Sequence, residues 1–390
     1  GSEMCIRDSS YSLTADRPSV TNALAVIQSY SPWRPSAGVT ESGLTIKDLE
    51  NSDLTYEKKH ELNIGADLGF LDNRINLTVD WYKRDNFDLI GLVMTQGIGG
   101  QIQKYGNVAT MKSRGIEFSL STKNIKTKDF SWTTDFIYSH MKNEVTKFNT
   151  STRAFNLVSG IGFSREGYPV NSLFSYDFRG LNEDGVPTFI NEAGVLTSTD
   201  INFQETERFD NLVYSGPSEP TDVGSFGNIF QYKGLRLNVF ITYSFGNVVR
   251  LDPVFSSIYN DLDAMPREFR NRWMTPGDER YTDVPAIVSS RQVRNDSKLS
   301  YAYNAYNYST ARIAKGDFIR MKEISLTYDF PKRWIKKLRM SNLALKIQAT
   351  NLFLIYADKK LNGQDPEFFN TGGVAVPVPK QFTLTLKIGL

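Results

Sequence analysis

Apolar and polar residues alternate strictly along several stretches of the chain. In 62–70 every even-numbered position is apolar or alanine, and a second alternating run at 75–82 follows the turn 71–74. Successive side chains of a β-strand point to opposite faces, so a period of two predicts strands with one apolar face. Two such runs around a short Asp-Asn turn predict a β-hairpin.

The same alternation recurs along the rest of the chain and predicts eleven strands. They are expected at 56–70, 74–84, 113–123, 130–142, 170–180, 186–190, 221–232, 235–246, 316–330, 342–354 and 380–390. A complete bacterial outer-membrane barrel uses an even number of strands. The odd count therefore means either that one strand escapes the pattern or that the barrel is incomplete.

The two faces of the clearest runs differ in charge. One face carries no charged residue, whereas the other holds Asp67, Asp80, Glu117, Arg236 and Lys387. A lysine or arginine that faces lipid costs about 2–4 kcal/mol at the bilayer midplane, whereas a barrel lumen tolerates charge. A soluble β-sandwich would alternate as well, because its outer faces are polar.

Strand length and loop length favour the membrane barrel. Several runs reach nine to eleven residues, which is the length that a tilted strand needs to cross the hydrocarbon core. Strands of soluble proteins are commonly about five or six residues long. Outer-membrane barrels alternate short periplasmic turns with long outer loops. Here short turns at 71–74, 124–129 and 233–234 alternate with long polar segments at about 85–112, 143–167 and 246–315.

Aromatic residues gather at the long-loop ends of the predicted strands. They are Trp81, Tyr82, Tyr138, Tyr243 and Phe245. Barrels carry such aromatic girdles at the membrane interface. The alternative is a set of rings that close the end of a sandwich core.

Composition excludes several classes of protein. Lys plus Arg total 45 and Asp plus Glu total 43, so the chain lacks the basic excess of a nucleic-acid-binding protein. No apolar run is long enough for a transmembrane helix. With Cys5, His60 and His140 as the only cysteine and histidines, no common zinc site is expected. Residues 1–9 lack both an apolar signal region and a strand pattern, and we expect them to be a non-native leader.

No motif of the sequence predicts catalysis. The glycine-rich stretches 97–100 and 160–162 lack the preceding buried strand and following helix of a phosphate-binding loop. The acidic segment 182–185 is typical of a tight turn and is too short for a calcium loop. We therefore expect no enzyme activity, no catalytic residue, no metal and no cofactor.

Several short motifs, in the order in which they stand, resemble the SusC/RagA family of TonB-linked outer-membrane proteins. Together they cover nearly the whole chain from about residue 10. They are Tyr56–Lys58 before Asn63–Asp67, then Asn73–Tyr82, Asn107 with Ser113–Glu117, Trp273–Asp278 with Asp283–Pro285, Gly316–Asp329, Asn351–Phe353 and Leu386–Gly389.

The resemblance implies a fold and a function. Proteins of the SusC/RagA family are similar to transporters of about 22 strands in the outer membrane of Bacteroidota. An amino-terminal plug fills the barrel, a SusD-like lipoprotein covers it, and TonB supplies energy for the import of oligosaccharides or peptides. Residues 10–390 would then be the carboxy-terminal part of an all-β, antiparallel transmembrane β-barrel, about 11 of 22 strands, with long outer loops and without the plug. Leu390 departs from the family, which usually ends in an aromatic residue.

The longest predicted loop, 246–315, holds the candidate substrate-binding residues. Sugars are commonly held by aromatic rings together with a few polar groups. The candidates are Trp273, Tyr301, Tyr303, Tyr306 and Tyr308. Packing within the loop, or contact with the lipoprotein, would explain the same aromatic residues. One or two short amphipathic helices are also expected in this loop, from the spacing of Phe255, Ile258, Tyr259, Leu262, Phe269 and Trp273 around Pro266.

Two other functions stay open on the sequence. One is an outer-membrane surface receptor or adhesin barrel without transport. The other is a soluble carbohydrate-binding β protein, which would stay monomeric in buffer without detergent. An incomplete membrane barrel would instead aggregate there, because it has unpaired strand edges and an apolar outer surface.

Overall fold

The computed structural model describes residues 4–17, 23–31, 42–97, 101–150, 152–159, 164–254, 267–337, 340–369, 377 and 379–389. The described strands are β1 (Met4–Asp16), β2 (Val26–Tyr30), β3 (Gly43–Asp48), β4 (Glu57–Phe70), β5 (Ile75–Met94), β6 (Gln103–Lys126), β7 (Phe130–Phe148), β8 (Ser172–Tyr176), β9 (Phe178–Leu181), β10 (Pro187–Ile190), β11 (Leu196–Thr197), β12 (Leu212–Pro217), β13 (Asp222–Tyr232), β14 (Leu235–Phe245), β15 (Val248–Arg250), β16 (Ile313–Lys315), β17 (Phe318–Asp329), β18 (Asn342–Ala357) and β19 (Gln381–Gly389).

In the described ranges, the helices are few and short. The α-helices are α1 (Ala154–Val158), α2 (Ser290–Asn295), α3 (Leu299–Asn307) and α4 (Lys332–Lys337). Single 3₁₀ turns lie at Arg267–Asn271, Asp278–Arg280, Thr310–Arg312, Lys359–Leu361 and Pro366–Phe368. Within the described ranges, no helix has the length and apolar character needed to span a bilayer.

Ten strands form one antiparallel sheet. Its order is β1-β4-β5-β6-β7-β13-β14-β17-β18-β19, so each strand lies beside its neighbour in sequence among the ten. β1 and β19 are the two edge strands. The sheet is therefore the partial, all-β barrel that the alternating pattern predicted.

Nine of the eleven predicted strands lie in this sheet. The predicted strands 170–180 and 186–190 are β-structured, but they belong to small separate sheets outside it. The tenth strand, β1, was not expected, because residues 4–9 show no strand pattern. It is held by backbone pairing with β4, from Met4↔Gly69 to Asp16↔Glu57, and backbone hydrogen bonds do not require alternation of side chains. The origin of residues 1–9 stays a prediction.

The prediction of a long loop at 85–112 is wrong for most of that range. β5 continues to Met94 and β6 begins at Gln103, so the ladder between the two strands extends well past the apolar run. β6 has 24 residues, and at about 3.3 Å per residue it is roughly 80 Å long. This is more than the hydrocarbon core requires. Side chains beyond the membrane need not alternate in polarity, so the pattern stops while the strand continues.

The register of the sheet keeps the two faces distinct across many strands. One row on the apolar face consists of Leu77, Leu120, Phe136, Phe226, Ile241 and Met321, each paired with the next. The adjacent row on the polar face consists of Asn76, Ser121, Asp135, Gly227, Phe240 and Glu323. The apolar face is suited to lipid and the polar face to a lumen.

The connections differ at the two ends of the sheet. β4–β5, β6–β7 and β13–β14 are joined at one end by turns of two to four residues. The segments between β7 and β13 and between β14 and β17 leave the sheet at the other end. Their described residues form what we call the loop cluster. Most of the largest fully buried side chains lie there, including Phe174, Tyr176, Phe189 and Tyr306. The chain therefore has its main hydrophobic core in the loop cluster, whereas the sheet is a single layer.

The predicted amphipathic helices can be followed only in part. Phe255, Ile258, Tyr259, Leu262 and Pro266 lie outside the described residues. Phe269 is on the 3₁₀ turn Arg267–Asn271, and Trp273 follows that turn. The α-helices α2 and α3 lie further along the chain, in the part of 246–315 for which the sequence predicted no helix.

Candidate functional site

Four of the five predicted binding residues lie on or next to helix α3. Ser289 and Gln292 form a capping box at the start of α2, and α3 begins after the turn that follows α2. Helix α3 has a buried side that includes Ala302, Tyr303, Ala305 and Tyr306. Their spacing of three and four residues is a helical signal that the aromatic composition of this segment concealed.

Tyr303 and Tyr306 belong to the core of the loop cluster. Each side chain is 2% exposed. The Tyr303 hydroxyl donates a hydrogen bond to the Ala286 carbonyl oxygen at 2.9 Å, and the Tyr306 ring meets the Phe178 ring edge-on at 5.5 Å. Their direct contact is with the loop cluster itself. A role in substrate contact for these two residues stays a prediction.

The burial of Tyr306 leads to a prediction about alkaline pH. Burial raises the pKa of Tyr306 to about 12, above the usual value near 10. The folded state therefore holds this proton more tightly than the unfolded state. The resulting stability is complete below about pH 10 and is lost as the pH rises towards about 12, at a cost on the order of 2 kcal/mol. Denaturant titrations at about pH 9 and about pH 11.5 should show a smaller loss of stability for Tyr306→Phe than for the unchanged chain. Identical pH dependence in the two proteins would contradict this assignment.

Trp273 supports a turn of the loop cluster. Its indole Nε1 donates to the Glu279 carboxylate at 3.1 Å, and its ring covers Gly185. Gly185 has φ +72°, and a Cβ atom there would lie 2.5 Å from the Trp273 ring. The segment 182–185 is the tight turn that the sequence predicted, since the backbone N–H of Gly185 donates to the Asn182 carbonyl oxygen. Trp273 thus joins two segments of the loop cluster that are far apart in sequence.

Tyr308 packs against a buried arginine. The Arg250 guanidinium lies 5.6 Å from the centre of the Tyr308 ring, and its Nη2 donates to the Phe174 carbonyl oxygen at 2.7 Å. Burial lowers the pKa of Arg250 to about 10. Arg250 still carries its charge at neutral pH, and the Tyr308 ring and the Phe174 carbonyl compensate part of the cost of burying it.

Tyr301 is the predicted binding residue with the most accessible ring. Its side chain is 49% exposed, and its ring lies 6.2 Å from that of Phe203. The loop cluster also exposes Met274 and Tyr281, which were not among the predicted binding residues. Met274 lies within the Trp273–Asp278 motif, and Tyr281 follows the motif three residues later. The structure therefore gathers the five candidates in one region but leaves only Tyr301 largely open to a ligand.

Ion pairs attach the connection after β18 to the polar face of the sheet. Arg320 of β17 is 5% exposed, and its Nη2 lies 2.5 Å from an Asp365 carboxylate oxygen. Its Nε lies 3.1 Å from a Glu367 oxygen. A second pair, Arg312 with Glu268, is buried in the loop cluster. These residues carry no sequence pattern, because their partners are about 45 positions away along the chain.

The site contains aromatic and charged groups that could bind a ligand. Within the described ranges, no group of three or more His, Cys, Asp or Glu residues is placed to hold a metal ion. What the structure offers is an open antiparallel sheet with an apolar and a polar face, and an aromatic, folded loop cluster at one end. This is the architecture of part of an outer-membrane β-barrel.

Comparison with known proteins identifies the family. Residues 9–352 match the family described as TonB dependent receptor-like, beta-barrel, and the chain belongs to it. It is 26% identical over 344 residues to TonB-dependent receptor P3 of Formosa agariphila, an alignment that covers 84% of this chain and 32% of the relative. It is also 26% identical over 357 residues to TonB-dependent receptor SusC of Bacteroides thetaiotaomicron, covering 87% of this chain and 32% of the relative. The chain thus spans about a third of the length of these curated relatives.

A solved structure shows the same fold. The structure of the RagAB peptide transporter aligns with a TM-score of 0.77 and 25% identity, over 98% of this chain and 40% of that one. The resemblance to the SusC/RagA family that the motifs indicated is therefore confirmed.

Proposed function

We propose that residues 10–390 form the carboxy-terminal part of the barrel of an outer-membrane importer. The importer takes up oligosaccharides or peptides in a Gram-negative, Bacteroidota-like cell. It works with a SusD-like lipoprotein at the loop end, and TonB acts through an amino-terminal part that also contains the plug. The two-faced, ten-stranded sheet carries this proposal, because its mainly apolar face suits lipid and its opposite, charged face suits a polar passage.

The proposed mechanism is binding followed by gated passage, without a chemical step. A substrate first contacts aromatic residues of the loop cluster and then polar groups of the inner face. Membership of the TonB-dependent receptor family and the peptide transporter among the structural neighbours support import. The chemical class of the substrate, oligosaccharide or peptide, is the part that uptake experiments must decide.

Uptake in a strain that carries the gene tests the proposal. We expect deletion to abolish uptake of either labelled oligosaccharides or labelled peptides, and re-expression of the full gene to restore it. Dissipation of the proton gradient should block the same uptake. If the substrate still binds to the cell surface and no uptake depends on the gene, the receptor or adhesin alternative replaces the proposal.

The DNA on both sides of the coding segment should encode a plug upstream and a SusD-like lipoprotein downstream.

Tyr301 is proposed as the main aromatic contact for the substrate. Removing an exposed, pre-oriented ring that stacks on a ligand should weaken binding roughly tenfold. We expect this loss for Tyr301→Ala in calorimetric titrations with the transported substrate. Tyr281→Ala is the matched control, because Tyr281 is 88% exposed in the same loop cluster. Equal losses for the two variants would mean that the substrate does not select the Tyr301 ring.

The two interpretations predict different behaviour of the purified chain in buffer without detergent: a soluble β protein would stay monomeric, whereas part of a membrane barrel would aggregate. The edge strand β19 exposes Phe382, Leu384, Leu386 and Ile388 on one face, at 76%, 70%, 58% and 47%. An unpaired edge with such a face associates with other chains. We expect the purified chain to aggregate without detergent and to become monodisperse in detergent micelles, as measured by light scattering. A stable monomer in plain buffer would favour the carbohydrate-binding β protein instead.

A further inference from the structure

Three cationic side chains stand side by side where the apolar face ends. Lys83 of β5 is paired with Arg114 of β6, and Arg114 is paired with Lys142 of β7. All three side chains are exposed. They lie on the same face as Trp81 and Ile116, which are two positions closer to the short turns. The cationic row is therefore the first row beyond the apolar face on the loop side.

Nearby acidic groups compensate this row only in part. The next row outward holds two acidic residues, Asp85 and Glu144, with Lys112 between them. Lys112 is a fourth cation beside the row. Lys83 approaches Asp85 at 3.6 Å while staying 52% exposed. Across the part of the chain that the structure describes, Arg114, Lys112 and Lys142 form no ion pair.

The third acidic group on this face is already engaged. The Asp222 carboxylate accepts a hydrogen bond from the Tyr138 hydroxyl at 2.7 Å and contacts His140 at 2.9 Å. Like charges directly opposite each other on neighbouring strands destabilise a sheet. An anion bound between Lys83, Arg114 and Lys142 would remove this repulsion.

The surface at this point is concave. A depression of about 300 Å³ is lined mainly by Trp81, Lys83, Lys112, Arg114, Lys142 and Glu144. On the membrane side of the depression the same face continues with the row Trp81–Ile116–His140 and then with the apolar rows Val79–Phe118–Tyr138 and Leu77–Leu120–Phe136. A ligand that fills the depression would thus meet cations at one end and a lipid-facing surface at the other.

We propose that Lys83, Arg114 and Lys142 bind the phosphate groups of a phosphorylated lipid headgroup in the outer leaflet. The acyl chains of this lipid would lie along the apolar face below Trp81. Guanidinium and ammonium groups form strong, charge-assisted hydrogen bonds with phosphate oxygens. Each cation close to an anionic lipid surface strengthens binding several-fold. The continuity with the apolar face favours a lipid over a soluble anion. The inference rests on the proposed outer-membrane location.

The test compares lipids that differ only in phosphate. The protein, purified in detergent, is titrated with bisphosphorylated lipid A and with the same lipid after enzymatic removal of its phosphates, and bound lipid is counted by native mass spectrometry. We expect the phosphorylated lipid to bind at least about tenfold more tightly. The triple variant Lys83→Gln, Arg114→Gln, Lys142→Gln should bind both lipids with the affinity of the dephosphorylated form.

A matched control separates the site from net charge. Lys128→Gln, Lys332→Gln, Arg333→Gln also removes two lysines and one arginine, all exposed and at the short-turn end of the sheet. This variant should keep the preference for phosphorylated lipid A. Equal loss in both triple variants, or no preference in the unchanged protein, would overturn the proposal. Displacement of lipid A by an equimolar amount of inorganic phosphate would also overturn it, because the ligand would then be a free anion.

Failure here can be distinguished from failure of the proposed function. If the protein requires detergent and supports uptake but ignores the lipid phosphates, only the lipid site is wrong. If it stays monomeric without detergent, the membrane location is wrong, and the lipid site is overturned with it. Unchanged circular dichroism of both triple variants establishes that each has folded.

Discussion

Replacing Ile241 with arginine is expected to lower the free energy of unfolding in phospholipid vesicles by about 2–4 kcal/mol. Ile241 lies near the middle of β14, in the apolar row between Phe226 and Met321. A guanidinium at this depth would face hydrocarbon and lose its hydration. Denaturant titration of the reconstituted protein and the amount of folded protein in the membrane fraction measure the effect.

Asn238→Arg is the control on the same strand. Asn238 lies on the polar face, where its amide donates to the Glu323 carboxylate at 3.3 Å. An arginine there meets an acidic partner and water, so we expect a change below about 1 kcal/mol. Equal effects of Ile241→Arg and Asn238→Arg would mean that the two faces do not differ in environment, and the membrane assignment of the apolar face would fail.

The second large effect is expected for Arg320→Ala. Loss of the guanidinium leaves the Asp365 carboxylate, which is 10% exposed, without its cationic partner. Breaking a buried pair by removing one member costs about 3–5 kcal/mol, because the remaining charge stays buried. We expect the connection after β18 to open, with rapid amide hydrogen exchange across 358–369 while β13 and β14 keep their protection.

The pair between Arg179 and Asp177 provides the comparison for Arg320. Arg179 is 56% exposed beside Asp177. Exposed pairs contribute about 0–1 kcal/mol, so Arg179→Ala should leave the exchange pattern and the stability nearly unchanged. If Arg320→Ala were as mild as Arg179→Ala, the ion pairs of Arg320 would not hold the connection in place.

The connection after β18 also shows what a sequence pattern cannot carry. Nothing about Arg320 itself distinguishes it from the other charged residues of the polar face, and Asp365 is 45 positions away. The pair exists because the chain returns over the polar face after β18. Such a contact depends on the path of the backbone, and no local period records it.

The loop cluster was predicted less completely than the sheet. The aromatic residues 301–308 suggested binding, whereas the structure buries Tyr303 and Tyr306 and exposes Tyr301. An aromatic residue is equally suited to a ligand surface and to a core, and only the position of α3 against β10 and its neighbours separates the two roles. The choice of Tyr301 as the leading substrate contact therefore comes from the tertiary structure.

The sequence by itself determined the fold class, the position of nine strands and the difference between the two faces. Each of these properties is local, because the alternation of side chains in a strand has a fixed period and the environment of each face selects its residues. The tertiary structure decided the length of β5 and β6, the pairing of β1, the core of the loop cluster and the row formed by Lys83, Arg114 and Lys142. These features depend on which strands become neighbours and in what register. Register is set by backbone pairing between segments that are distant along the chain.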